Sequence, residues 1–301
     1  MTEWLVTGAG GALGSVLMRV LSELRTSAEG FVTLDGAAPD VGKVTRVDLR
    51  DVRTYRDRVF ALQPRVIVHL AAVSAIKAAY DDPERARAVN VDATAALLAM
   101  SEALGAHFVY ASTDLVFDGE HAPYDEDATP EPATIYGRTK LEAECHVLTY
   151  RRGLVLRFPL MYGLPDVRRA PNFFQTMVSS LEQARPIQLF EDELRTPLWL
   201  DDAALACARL GGSDLRGVVH LGGPERLSRF EMGQRIAGVL GCDPRLVIAA
   251  RRDMLQSPEP RAHDVSLVNR RYREQFASAV GRTMNEALPL AFSRGPSRLL
   301  S

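Results

Sequence analysis

Residues 3–14 read EWLVTGAGGALG, and the fold turns on how this stretch divides. Glu3 to Thr7 is a short, mostly apolar run of the kind found in buried strands. Glycines follow at positions 8, 10, 11 and 14, and an apolar-periodic helix continues through about Leu24. A strand, a glycine turn and a helix N-terminus, in that order, form a cradle for a pyrophosphate. The backbone can approach closely, and the free N–H groups and helix dipole favour the negative charge. Gly8, Gly10, Gly11, Ala12, Leu13 and Gly14 are therefore candidate contacts to a dinucleotide. Glycine-rich turns are common by themselves, so a second signal matters. Phe31 to Leu34 reads as the next strand, ending at Asp35, 21 residues beyond Gly14. A carboxylate at that spacing accepts hydrogen bonds from the adenosine ribose and repels a 2′-phosphate. The expectation is a preference for NAD(H), with NADP(H) as the alternative; the competing reading of Asp35-Gly36 is a simple turn pair.

Outward from there the alternation continues. Strands are expected at Lys43–Val47, Arg65–Leu70, His107–Ala111 and Gly153–Arg157, with helices at Val52–Leu62 and Pro83–Leu104. Strands alternating with helices of this length imply a doubly wound parallel sheet, an α/β Rossmann architecture. Ligands bind such sheets at the carboxyl ends of the strands, where Gly8, Asp35, Asp48-Leu49, Leu70-Ala71-Ala72 and Thr113 fall. Asn90 lies inside the apolar pattern of the long helix, where an amide is mildly unfavourable unless it has a hydrogen-bonding duty. His69 ends a buried strand and reads as a satisfied core histidine. Beyond residue 160 the rhythm loosens. Helices are expected over Pro171–Gln183, up to Leu210 and, with a capping box at Ser228 and Glu231, over Ser228–Leu240. Strands are expected at Ile187–Phe190 and Val218–Leu221. The implied organisation is a dinucleotide-binding domain at 1–160, rejoined near 195–222, and a smaller, mostly substrate-binding domain at 161–301.

The chemistry concentrates between Phe108 and Lys140. After the strand the chain turns polar at Ser112-Thr113-Asp114, and a helix over about 133–150 places Tyr136 and Lys140 one turn apart on one face. A tyrosine ordinarily titrates near pH ~10; a neighbouring ammonium is expected to lower that value and make the phenol an acid–base group. An ordinary solvated helix pair competes with this reading. Against it, only three of the 36 basic residues are lysine (Lys43, Lys77 and Lys140), and an ammonium is not interchangeable with a guanidinium where a point charge is needed.

Composition sets limits. Hydrophobic residues make up 47% and charged residues 25% of the 301 positions, with a net charge of −2. These values describe a globular protein and give no argument for nucleic acid or an anionic membrane surface. No apolar run approaches the ~20 residues of a membrane span, and MTEWLVTGAGG lacks the features of a signal peptide. Cys145, Cys207 and Cys242 are widely spaced and read as buried small hydrophobes in a reducing cytoplasm. The acidic loop 118–127 reads as a solvated, lid-like loop rather than a cation site, so no metal is expected. Residues 251–301 hold nine arginines against five acids, a surplus suited to an anionic substrate. The apolar helices around 83–104 and 134–150 leave two options, a homodimer interface or packing on the sheet.

These stretches resemble the extended short-chain dehydrogenase/reductase superfamily, and within it the dTDP-4-dehydrorhamnose reductase group. The resemblance is carried by TGAGGALG at 7–14, DLRD at 48–51, HLAA at 69–72, Asn90-Val91, STDLVFDG at 112–119, YGRTK at 136–140 and RFPLMYG at 157–163. RTPLWLDDAA at 195–204 and RAHDVSL at 261–267 extend it. STD-x-VFDG is the most specific; RAHDVSL departs by having alanine and histidine where relatives often have proline and an aliphatic residue. The resemblance implies Tyr136 as proton donor, Lys140 as its activator and a ribose ligand, and Thr113 as the third catalytic residue. It also implies that Asp48 and Leu49 hold the adenine and that Leu70, Ala71, Ala72 and Asn90 complete the cofactor site. Ser74, Thr113, Asp114 and Arg195 would meet the substrate, a nucleotide sugar. The implied reaction is reduction of a 4-keto group of a nucleotide-diphosphate 6-deoxysugar. Two alternatives stay open: a nucleotide-sugar epimerase or dehydratase, and a non-catalytic regulatory subunit of methionine adenosyltransferase type. Dehydratases usually carry an acidic pair after the threonine; here Asp114 is followed by Leu115.

Overall fold

The computed structural model describes residues 3–167, 171–254 and 257–293; two of the tail arginines, Arg294 and Arg298, lie outside them. Seven parallel strands form the central sheet: β1 (Trp4–Thr7), β2 (Ala28–Val32), β3 (Lys43–Arg46), β4 (Val66–His69), β5 (His107–Thr113), β6 (Gly153–Phe158) and β7 (Gly217–His220). Their order is β7-β6-β5-β4-β1-β2-β3, all parallel, so the chain reverses direction between β1 and β4. The crevice at such a reversal is where doubly wound sheets bind ligands.

Strands buried on both faces read as continuous apolar runs rather than alternating ones, as WLVT and VIVH do. One face is covered by α1 (Ala12–Glu23), with Leu13, Val16, Leu17 and Val20 in a core shared with the helix Leu200–Gly211. On the other face, Leu97 and Leu98 of the helix Ala93–Leu104 and Ala143 and Val147 of the helix Ile135–Thr149 join Ile67, Phe108 and Tyr110 of the sheet. The apolar faces left open between a dimer and the sheet are thus packed on the sheet. A third apolar cluster lies C-terminal, around Tyr162, Phe174, Trp199, Met232 and Leu288.

Several boundaries differ from expectation for identifiable reasons. β2 stops at Val32, because Thr33–Gly36 closes a turn (Gly36 N–H to Thr33 O, 3.0 Å) whose carbonyls are held by the Arg46 guanidinium. The 52–62 helix divides into a 3-10 turn capped by Asp51 and the helix Arg56–Leu62. The long 83–104 helix carries one wide π turn, Ala88–Asp92, around Asn90. Cys207 is buried and Cys242 half-buried, but Cys145 is exposed. The acidic loop is less free than a solvated lid. Tyr124 donates to Asp118 and stacks on Phe117, and buried Glu126 accepts the backbone N–H groups of His220 and Arg271. Among the described residues no cluster of ligands suits a metal ion, and no helix is long and apolar enough to cross a membrane. His69 is satisfied in the core, between Thr7 Oγ1 (2.6 Å) and Thr94 Oγ1 (3.0 Å).

Candidate active site

Two adjoining cavities open along the carboxyl edge of the sheet. The larger, about 900 Å³, is lined by Gly8, Gly11, Ala12, Leu13, Gly14, Asp35, Asp48, Leu49, Leu70, Ala71, Ala72, Ser74, Tyr136 and Lys140. The smaller, about 300 Å³, is lined by Ser74, Thr113, Asp114, Tyr136 and Arg195, with Glu193, Arg229 and Arg261. Tyr136 and Ser74 belong to both.

The large cavity is shaped by close backbone approaches. Gly8 has φ +69°, and a Cβ there would lie 2.7 Å from Ala71 N; one on Gly14 would lie 2.1 Å from Gly8 O. The helix α1 starts at Ala12, after Gly11, with no side-chain cap and no acid in its first turn, so its N-terminus faces the cleft with amides that no side chain caps. That donor set fits a pyrophosphate. Two expected contacts are placed elsewhere. Gly10 is not among the residues lining the cleft, and an added Cβ there would strike Ala37 O at 2.1 Å. Asn90 is fully buried behind it: its side chain accepts from Val73 N (2.8 Å) and donates to Val73 O (3.2 Å) and Thr139 Oγ1 (2.9 Å). It ties the loop after β4 to the helix carrying Lys140, so it acts through those elements.

Thr113 and Tyr136 meet because two elements interlock. Thr113 ends β5 and caps the turn Asp114–Val116, accepting the Leu115 N–H at 3.2 Å. Thr134 caps the helix Ile135–Thr149 by accepting the Gly137 N–H at 3.0 Å. A side chain at Gly137 would lie 2.2 Å from Leu115 O, so glycine allows the helix to close on the turn. Thr113 and Tyr136 come together on the lining of the smaller cavity, where the threonine hydroxyl favours the ionised phenol.

The electrostatics correct one expectation. Burial pushes the Tyr136 phenol well above its ordinary range, and the Asp114 carboxylate adds to this; only the Thr113 hydrogen bond opposes it. Lys140 does not bring the phenol down. Its ammonium sits 4.0 Å from the centre of the Tyr110 ring, and burial lowers it to about 7 against the pull of Glu144. Glu144 in turn forms a buried pair with Arg157 (2.7 Å). Burial raises Asp114 to about 6, with Arg195 opposing.

At the far side of the small cavity, fully buried Glu193 holds two arginines that composition alone did not single out. Arg229 donates to it at 2.9 Å, and Arg261 grips it through Nε and Nη2. Phe173 and Phe190 support their guanidinium planes. With Arg195, three cations face two carboxylates, Glu193 and Asp114, which leaves a positive surplus in a confined site. The cue available in the sequence was Arg261 in RAHDVSL; Arg229 has none, since it merely follows a helix cap.

The family model described as RmlD substrate binding domain matches residues 2–294. Methionine adenosyltransferase 2 subunit beta of Bos taurus is 33% identical over 241 residues, covering 77% of this chain and 70% of that protein. A hypothetical dTDP-4-dehydrorhamnose reductase from Sulfolobus tokodaii superposes with a TM-score of 0.82 at 26% identity, covering 94% of this chain and 98% of that one. A dTDP-4-dehydrorhamnose reductase from Bacillus anthracis, in complex with NADP, superposes with a TM-score of 0.86 at 22% identity, covering 98% and 100%. A seven-stranded doubly wound sheet and a family match over nearly its whole length place this chain in the RmlD substrate-binding-domain family, among the extended short-chain dehydrogenase/reductases.

Proposed function

We propose that the chain is a nicotinamide-dependent reductase of the keto group of a nucleotide-diphosphate 6-deoxysugar. The observation that carries this reading is the position of Tyr136, which lines both cavities, with Lys140 on one side and Thr113, Asp114 and Arg195 on the other. In this reading residues 1–160, with 195–222, hold the cofactor, and most of 161–301 holds the sugar nucleotide.

When bound, the reduced nicotinamide supplies the hydride; the chain supplies position and a proton. The α1 N-terminus would bind the pyrophosphate, and Asp35, Asp48 and Leu49 would take the adenosine end. Thr113 and Tyr136 would hold the substrate carbonyl oxygen. A phenol with a raised pKa is fully protonated at neutral pH, and it gives its proton to the alkoxide that develops there. Lys140 then sits where a ribose hydroxyl and the phenol both need a compact cation. Arg195, Arg229 and Arg261 supply the charge for a diphosphate. The test is oxidation of NADH or NADPH with a panel of 4-keto nucleotide sugars. A second reading, a regulatory subunit, is favoured by the 33% identity to a methionine adenosyltransferase beta subunit. It predicts no turnover with any such ketone and a direct effect on a methionine adenosyltransferase.

Two smaller expectations follow. Asp35 lines the large cavity, and the Arg46 guanidinium is committed to the carbonyls of Thr33, Leu34 and Gly36. NAD(H) is therefore expected to be preferred, and Asp35→Ala should move the kcat/KM ratio toward NADP(H). A wild type that favours NADPH, or an unchanged ratio in the variant, would reduce Asp35 to a turn residue. EDTA is expected to leave the initial rate unchanged; a loss restored by Mg²⁺ would reinstate the acidic loop as a cation site.

A further inference from the structure

The helix carrying Tyr136 and Lys140 also carries Glu144, one turn beyond the lysine and 1% exposed. Residues four apart on a helix are neighbours, so a carboxylate here can reach the lysine ammonium. It is held elsewhere. Both Glu144 oxygens are taken by Arg157 on β6: Nε donates to Oε1 at 3.1 Å and Nη2 to Oε2 at 2.7 Å. The ammonium of Lys140 rests instead over the Tyr110 ring at 4.0 Å, with no carboxylate in ion-pair contact among the described residues.

Arg157 is itself fixed by its neighbours. Its Nη1 donates to His220 Nε2 on β7 at 3.3 Å, and its guanidinium lies 5.1 Å from the centre of the Phe117 ring. Arg157 and His220 are both buried. A planar fork held on three sides has one orientation, and it turns the Glu144 carboxylate toward β6. A buried ion pair is weak evidence for stability, since apolar residues of similar volume often do as well. Its place beside Lys140 gives it another use. A buried carboxylate left unpaired one turn from the ammonium would compete with every other partner of that lysine.

Resting on the cofactor site of the reductase reading, we propose that Arg157 is a positioning residue. It holds Glu144 away from Lys140, so that the ammonium stays free for the ribose of a nicotinamide cofactor and for the phenol of Tyr136.

The experiment measures NADH affinity by fluorescence titration for wild type, Arg157→Gln and the double variant Glu144→Gln/Arg157→Gln. In Arg157→Gln the freed carboxylate should pair with Lys140 and weaken NADH binding about tenfold, the worth of one hydrogen bond to a charged group. The double variant has no carboxylate to redirect, so its Kd should return to near the wild-type value. An unchanged Kd in the single variant, or an equal loss in both, would overturn the proposal; equal loss would mean that the arginine only supports the fold.

A second readout needs no cofactor. Burial lowers Lys140 to about 7, so wild type gains stability as pH rises from about 7 to 10.5. An ion pair with Glu144 keeps the folded lysine charged, so this gain should shrink in Arg157→Gln and reappear in the double variant. The other titratable groups facing Lys140 are His69 on β4, Tyr110 on β5 and Tyr136 on its own helix, and burial keeps all three neutral from pH 7 upward through most of that range. If Arg157→Gln does not fold, the double variant decides, because it buries no unpaired charge. A Kd near wild type with an intact pH gain then supports the proposal, and loss of either overturns it. A wild type that binds NADH but reduces no 4-keto nucleotide sugar fails the reductase reading alone, since neither readout uses a substrate.

Discussion

Tyr136→Phe is expected to lower kcat with a 4-keto nucleotide sugar by about 10²–10⁴-fold, the usual worth of a positioned general acid, and to leave cofactor affinity nearly unchanged. The substitution removes one hydroxyl from a ring that is 8% exposed and packed near Ala79 and Ala86, so the fold should tolerate it. What is lost is the group lining both cavities that can pass a proton to an oxygen held beside Thr113. Because burial holds the phenol far above neutrality, its own titration should be absent from the kcat/KM profile between pH 6 and 9. Inflections from Asp114, raised to about 6, and Lys140, lowered to about 7, are expected there instead. Activity within a few-fold of wild type in the Phe variant would sink the assignment.

The features legible in the sequence are those set by short-range chemistry. The strand–glycine–helix pattern of residues 3–14, the apolar strand runs and the Ser228 capping box each follow from a few neighbouring residues. They were enough to imply a parallel doubly wound sheet. Features that depend on contacts far along the chain are less legible. Asn90 stands out as a polar residue in an apolar helix, but its partners, Val73 and Thr139, are 17 and 49 residues away. Its role as a clamp, and the π turn around it, follow from that distant pairing. Gly10 looks like its neighbours in the motif, yet it is required by Ala37 across a separate loop. The expected effect of Lys140 on Tyr136 failed for a related reason. Spacing along a helix reports proximity but not solvent exposure, and burial outweighs the neighbouring charge for both groups. The arginine site around Glu193 gathers residues 193, 195, 229 and 261 from three separate segments, and no local pattern announces it.

Lys140 carries the other large expected effect, and its sign differs between activity and stability. Lys140→Met should abolish most turnover, because no other ammonium lines the large cavity. Lys140→Arg should be nearly as damaging, since a planar guanidinium cannot occupy the place of a compact ammonium over the Tyr110 ring. Folding should respond the opposite way. Lys140 is 2% exposed, and burial brings it from 10.5 in the free side chain to about 7. Between about pH 7 and 10.5 the unfolded chain therefore holds a proton that the folded chain lacks. Stability from this residue rises with pH across that window, and the full penalty for burying the charge applies below it. At ~1.4 kcal/mol for each tenfold change, the penalty near neutral pH is on the order of a few kcal/mol. Lys140→Met fills the same space without the charge, so it should unfold at higher denaturant concentration than wild type at pH 6.5, by roughly that amount. The gap should narrow by pH 9, where wild type recovers part of the loss. Equal midpoints at pH 6.5, or a less stable Met variant, would mean that the ammonium is satisfied in its pocket, and the picture of a strained cation held for the cofactor ribose and the phenol would have to be given up.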